Sequence, residues 1–216
     1  MTAALIHASR AALDPVSRYY AANEPGWTLV NLLDDGVMRR LDGRDTEGAE
    51  RRLASMVSTA HQEYGAQSAL ITCSALSARG MGAIRAAAPV PVVKIDEPMA
   101  RAAVLEGRRI GVLATFPATV ETTRELLETA AGVPLEIQVE LAAEALRALL
   151  DGGEAAHDAI FFQALDRLAA WRPDAIVLAQ VSMARLHEAA RRRAGVPVFS
   201  SLASSLDAMR AIMRRA

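Results

Sequence analysis

Cysteine is nearly absent from this chain: among 216 residues there is one, Cys73. A lone thiol excludes an intramolecular disulfide and any metal site built from several cysteines. It fits a reducing compartment, and the cytoplasm is the expected location. Aromatic residues make up only 4% of the chain, so few are available to mark an interface. No charge of one sign predominates. There are 24 basic and 25 acidic residues and a formal net charge of -1, which gives no electrostatic basis for binding nucleic acid. No apolar run approaches the ~18 residues of a membrane span, and Met1 to His7 lacks the basic start of a secretory signal, so no membrane association is expected. There is no HExxH, no clustered Cys/His spacing and no EF-hand loop, so no metal site is expected. A phosphate-binding GxxxxGK[ST] loop, a GxGxxG after a strand and a Gly-Xaa-Ser-Xaa-Gly elbow are missing as well.

What is present is apolar and regularly divided. Hydrophobic residues amount to 52%, enough for a substantial core. Short apolar runs alternate with helical patterns, the signature of βα units around a parallel sheet. The expected strands are Ala3 to Ala8, Thr28 to Leu33, Ser68 to Thr72 and Val90 to Ile95. A second set follows at Arg109 to Ala114, Glu136 to Leu141, Ala175 to Ala179 and Pro197 to Ser200. Their scant alternation suits sheets covered on both faces. Thr46 to Tyr64 is an expected helix, with Ala49, Leu53, Met56, Val57 and Ala60 near a 3.6 period. Others are expected at Thr119 to Ala131, Ala143 to Leu150, Ala156 to Ala170, Ser182 to Arg193 and Ser204 to Arg215.

The two sets repeat each other. Ala69-Leu-Ile-Thr-Cys73 pairs with Ile176-Val-Leu-Ala-Gln180, and each is followed by an Ala- and Arg-rich helix and a Val-Pro-Val run. The expected fold is α/β, with two pseudo-symmetric domains, each a four-stranded parallel sheet flanked by helices. The domains are expected at residues 1–98 with the C-terminal helix 201–216, and at 99–200. Parallel sheets bind ligands at the carboxyl ends of their strands, so the site is expected in the interdomain cleft, with Cys73 on one side and Gln180 on the other.

Cys73 is the leading candidate for chemistry. A thiol at a strand end and a helix start would see unpaired N–H groups and the positive end of a helix dipole, which favour the thiolate. Such a thiolate can abstract a proton or attack as a nucleophile. A buried free cysteine is also common as a small hydrophobe. Around it lie polar strand-end residues: His7 and Ser9, Asp34 and Asp35, Ser74, Asp96 and Glu97, Thr115 and Thr119, and Ser182 beyond Gln180. Hydroxyls and N–H groups at helix starts can cradle a small carboxylate, although each alone also reads as an N-cap. His7 reads either as an acid/base group or as a structural histidine.

Three segments carry a family resemblance: Ile71-Thr-Cys-Ser74; Ile110-Gly-Val-Leu-Ala-Thr115 with Thr119-Val120; and Ala175-Ile-Val-Leu-Ala-Gln-Val-Ser-Met183. In order and spacing the chain resembles the aspartate/glutamate/hydantoin racemase superfamily over nearly its whole length. The resemblance implies a pair of α/β domains, no cofactor, a small carboxylate substrate and often a homodimer. It implies that two cysteines exchange a Cα proton from opposite faces. Cys73 matches one of them, and Gln180 stands where the second belongs. By matching positions, Ser9, Ser74, Thr115, Thr119 and Ser182 would hold the substrate carboxylate.

A carboxamide cannot serve as acid or base near neutrality, so two-base racemisation is not expected. The expected function is a cofactor-independent, racemase-like or decarboxylase-like enzyme acting by Cα proton transfer. Its substrate would be an amino acid, hydantoin or malonate, with Cys73 as acid/base, His7 as a further candidate and Gln180 as hydrogen-bond donor. The alternatives are a catalytically degenerate protein that binds a small carboxylate, and a covalent adduct on Cys73 with Asp34, Asp35 or His7 as base.

Overall fold

The computed structural model describes residues 1–215. The chain divides into two compact units, one of Met1–Ile95 with the C-terminal stretch from Leu202, the other of Asp96–Ser201. Each is built on four parallel strands, and the two sheets have the same strand order.

The first unit runs β1 (Thr2–His7), α1 (Arg10–Asn23), β2 (Thr28–Leu33), α2 (Gly36–Asp42), α3 (Thr46–Tyr64), β3 (Ser68–Ile71), α4 (Ala78–Ala87) and β4 (Val92–Lys94). Its sheet order is β2-β1-β3-β4. Alternate residues of the central strands face opposite layers. Ala4, Ile6, Ala69 and Ile71 join Leu53, Val57, Met81 and Ile84 of α3 and α4 in one apolar cluster. Leu5 and Leu70, of opposite parity, are also fully buried. Helix α3 starts where Asp45 accepts a bond from the Gly48 N–H and stops at Gly65, whose φ of 67° suits a residue without Cβ.

The second unit runs α5 (Glu97–Ala103), β5 (Arg109–Ala114), α6 (Ala118–Ala131), β6 (Glu136–Leu141), α7 (Ala143–Leu150), α8 (Glu154–Ala170), β7 (Ala175–Leu178), a 3₁₀ turn (Val181–Leu186), α9 (His187–Ala194) and β8 (Val198–Phe199). Its order is β6-β5-β7-β8. Ile110, Val112, Ala175 and Val177 pack with Met99 and Leu127 of α5 and α6. Leu113, Ile176 and Leu178 face Phe161, Leu165 and Leu168 of α8. Gly111 permits that second packing, because a Cβ there would sit 3.2 Å from Ile176 and 3.3 Å from Leu168. Among the described residues no helix is long and apolar enough to cross a membrane.

The expected Ser182 to Arg193 helix is two pieces. The 3₁₀ turn comes first, with Met183 buried, Leu186 packed in the α8 cluster and the Arg185 guanidinium on Asp158; α9 begins only at His187. Three helices the periodicity does not predict, α1, α2 and α5, are short or carry proline: Pro15 lies within α1 and Pro98 in the first turn of α5.

The last helix, α10 (Ser201–Met213), belongs to the first unit for most of its length. The buried Tyr20 hydroxyl donates to Ser205 at 3.0 Å, and the Ser68 hydroxyl lies 3.0 Å from the Met213 sulfur. Replacing Tyr20 with Phe removes one buried hydrogen bond, while Ser205 keeps its bond to the Leu202 carbonyl at 3.0 Å. The expected loss is about 0.5–1.5 kcal/mol, read as a lower urea midpoint in circular dichroism.

Candidate functional site

Because all strands in each sheet are parallel, their carboxyl ends lie along one edge, and register decides which residues meet there. In the first unit Ile6 is opposite Ile71, and Ile71 is opposite Lys94. The chain leaving β3 is therefore Thr72, Cys73 and Ser74, flanked by His7 at the end of β1 and Lys94 at the end of β4. Cys73 is 5% exposed and belongs to the apolar cluster that includes Ala8, Leu76 and Met81.

The helix start expected at Cys73 lies further on. Helix α4 begins at Ala78, and its capping residue is Ser77, whose hydroxyl accepts from the Gly80 N–H at 3.1 Å. Cys73 is therefore five residues before the first residue of α4 and is not its cap. No sequence motif points to Lys94. Its Nζ donates to the Ser74 carbonyl at 3.4 Å, and the residue is 2% exposed. The available signal was a lysine inside the apolar run Val90 to Ile95.

His7 is fully buried, and burial lowers its pKa below the usual 6.5, against the raising effect of its bond to Asn31. The neutral ring donates from Nε2 to Asn31 Oδ1 at 3.0 Å. Nδ1 then accepts from the Thr72 hydroxyl at 3.1 Å, whose proton can also reach the Ile6 carbonyl at 3.2 Å. The Ser17 hydroxyl donates to the same Asn31 oxygen at 2.7 Å. Both ring nitrogens are thus engaged, and His7 buttresses the residue before Cys73. Ser9 caps α1, accepting from the Ala11 N–H at 3.2 Å.

Asp34 and Asp35 sit at the β2 edge, two strands across from β3. Asp34 accepts from the Gly36 N–H at 2.9 Å and from Arg52 at 2.5 Å, and the Arg52 bond is the largest influence holding its pKa down. Asp35 lies 3.8 Å from Arg39. A pocket of about 460 Å³ opens there between Asp34, Arg39, Arg40, Asp45 and Arg52, and Arg40 pairs with Asp45 at 2.6 Å. Asp96 is buried and Glu97 opens α5.

In the second unit Leu113 is opposite Leu178, so Thr115 and Gln180 leave neighbouring strands together. Gln180 Oε1 accepts from the Thr115 N–H at 2.7 Å and from its hydroxyl at 3.1 Å. Gln180 Nε2 donates to the Thr119 hydroxyl, which in turn donates to the Phe116 carbonyl at 2.7 Å. Thr115 and Thr119 are 1% and 3% exposed, so this is a buried network in which a planar carboxamide occupies the hydroxyls expected to hold a carboxylate. Ser182 lies buried in the 3₁₀ turn just beyond. The first unit thus gathers His7, Cys73, Ser74 and Lys94, the second Thr115, Thr119 and Gln180. Cys73 and Gln180 each stand two residues past the last paired residue of β3 and β7.

The family model described as Asp/Glu/Hydantoin racemase matches residues 1–209. A glutamate racemase from Limosilactobacillus fermentum is 30% identical over 89 residues, 37% of this chain, and the match spans only 33% of that racemase's length. The fold is similar to that of an allantoin racemase from Klebsiella pneumoniae, with a TM-score of 0.73 at 19% identity over 99% of this chain and 88% of that one. It is also similar to a glycine-to-cysteine mutant of arylmalonate decarboxylase, with a TM-score of 0.58 at 20% identity over 97% and 92% of the two chains.

Two outcomes follow from this geometry. Gln180→Ala strands the Thr115 N–H and is expected to cost about 1–3 kcal/mol in denaturant unfolding. His7 has a folded pKa below its unfolded value, so its contribution to stability is complete above 6.5 and is lost as pH falls through the lower folded value. Unfolding free energy measured against pH should decline on the acid side of 6.5, and His7→Gln should remove that part of the decline.

Proposed function

The chain belongs to the Asp/Glu/Hydantoin racemase family, and from that premise we propose that it is an enzyme of Cα proton transfer on a small carboxylate, with Cys73 as its acid/base group. The observation that carries this reading is the asymmetry between equivalent positions. Cys73 follows the third strand of one repeat and can carry a proton; Gln180 follows the third strand of the other and cannot. A single thiol supports chemistry at one face of the substrate carbon.

In an isomerase-like turn, the Cys73 thiolate takes the Cα proton and becomes a thiol, and the electron pair delocalises into the adjacent carbonyl as an enolate. Return of a proton from the thiol to the same face of Cα exchanges the hydrogen and regenerates the starting enantiomer, so isomerisation with one thiol requires the proton to return to a different atom of the delocalised anion. In a decarboxylase-like turn, the C–C bond to the departing carboxylate breaks, CO₂ leaves, and the electron pair on Cα takes the thiol proton. Solvent then reprotonates the thiolate. Either path needs donors for a developing negative oxygen. Ser9, Ser74 and Ser182 are the hydroxyls proposed to contribute, with Thr115 and Thr119 acting through the Gln180 network. The amide N–H of Gln180 already serves Thr119, which supports a role in shaping that network. Both nitrogens of His7 are bonded, which supports a supporting role over direct proton transfer. Family membership is likewise the support for reading the protein as a cofactor-independent, cytoplasmic homodimer.

The second reading, a protein that binds a small carboxylate without turnover, is favoured by one observation. The Gln180 carboxamide fills the Thr115 and Thr119 hydroxyls as a ligand would.

Proton NMR in deuterium oxide with amino acids, hydantoins and substituted malonates separates the two. Loss of a Cα proton signal, or a decarboxylated product, is expected with the native chain. Cys73→Ser should reduce it by at least about a hundredfold, the lower range for a positioned acid/base group. Unchanged turnover in Cys73→Ser would remove the thiol from the mechanism. Binding of the same acids with no exchange would establish the second reading.

A further inference from the structure

We propose that Lys94 is a positioning residue that favours the thiolate of Cys73, its buried ammonium lying at the same strand exit. The proposal rests on the reading of Cys73 as the base that takes a Cα proton, the path that starts from the thiolate.

A thiol of ordinary pKa, about 8.5, is mostly protonated at neutral pH and is a weak base or nucleophile. Something must stabilise its anion. The residue that caps α4 is Ser77, not Cys73. Burial lowers the His7 pKa and so favours its neutral ring. Lys94 is a buried cation at the same strand exit. It ends β4 in register with Ile71, and its Nζ reaches the carbonyl of Ser74, the residue bonded directly to Cys73.

An ammonium that is 2% exposed is costly to bury, and compensation comes from nearby acceptors and negative charge. In such surroundings a cation favours the charged form of a neighbouring thiol. The acids close in sequence are Asp96 and Glu97, two and three residues beyond Lys94.

The repeat supplies an internal comparison. Leu70 pairs with Val93 in the first sheet, and Val177 pairs with Phe199 in the second. Lys94 therefore corresponds to Ser200, just as Cys73 corresponds to Gln180. The lysine occurs in the repeat that carries the thiol. The repeat with a carboxamide has a hydroxyl in the lysine's place.

The test is titration of the thiolate by its ultraviolet absorbance, with Cys73→Ser as the blank that removes tyrosine ionisation. Because Cys73 is the sole cysteine, the signal has one source. The native chain should titrate at least about one unit below 8.5. Lys94→Met should move the midpoint up by about one unit or more, a tenfold loss of thiolate near neutrality, and Lys94→Arg should keep it low. If the Met variant does not fold by circular dichroism, Lys94→Gln replaces it with the same expectation. A native midpoint at or above 8.5, or a midpoint unmoved by loss of the ammonium, overturns the proposal. No substrate enters this titration, so its failure is distinct from failure of the proton-transfer reading, which the deuterium experiment decides.

Discussion

Parallel pairing of β1 with β3, and of β5 with β7, is the constraint on which everything else in this molecule depends. Register fixes where each chain leaves its sheet. With Ile6 opposite Ile71 and Leu113 opposite Leu178, the residues two positions later, Cys73 and Gln180, become structural equivalents. Had either strand slipped by one residue, every side chain on it would change face, and the buried layers on both sides would be lost. The apolar packing that holds the registers, Leu53 and Met81 in one unit and Phe161 and Leu168 in the other, therefore also holds the polar strand ends in place.

On that common frame the two repeats have diverged in chemistry. The first unit places an ionisable thiol, a buried lysine and a buried neutral histidine around one strand exit. At the matching positions the second has Gln180 for Cys73, Ser200 for Lys94 and Ala114 for His7. The groups able to move or bias a proton are concentrated in one repeat; the other supplies a closed hydrogen-bond network.

Much of this was legible in the sequence. Thr28–Leu33, Arg109–Ala114 and Glu136–Leu141 are strands over the residues their apolar runs indicate, and Thr46–Tyr64 is a helix over the full span of its periodicity. The repeat was visible because both halves keep the same order of apolar runs and Val-Pro-Val signals. Less legible was anything set by side-chain partners. Asp34 looked like a free strand-end acid and is bound by Arg52 and the Gly36 N–H. His7 reads either as an acid/base group or as a structural histidine, and only the partners Asn31 and Thr72 show that both ring nitrogens are engaged. The start of α4 was misplaced because Thr72, Cys73 and Ser74 read as a cap, while the residue that caps is Ser77. Lys94 lies in an apolar run without any motif, and its burial is visible only in the folded chain.

The central claim is that proton transfer occurs at one face of the substrate, since one repeat has a thiol and the other a carboxamide. Its most direct test is the stereochemistry of the product formed in deuterium oxide from a prochiral substituted malonate or an exchanging amino acid. The account predicts deuterium delivered to a single face, giving one enantiomer. A racemic, doubly exchanged product would contradict it, because a second proton-transfer group would then have to act opposite Cys73.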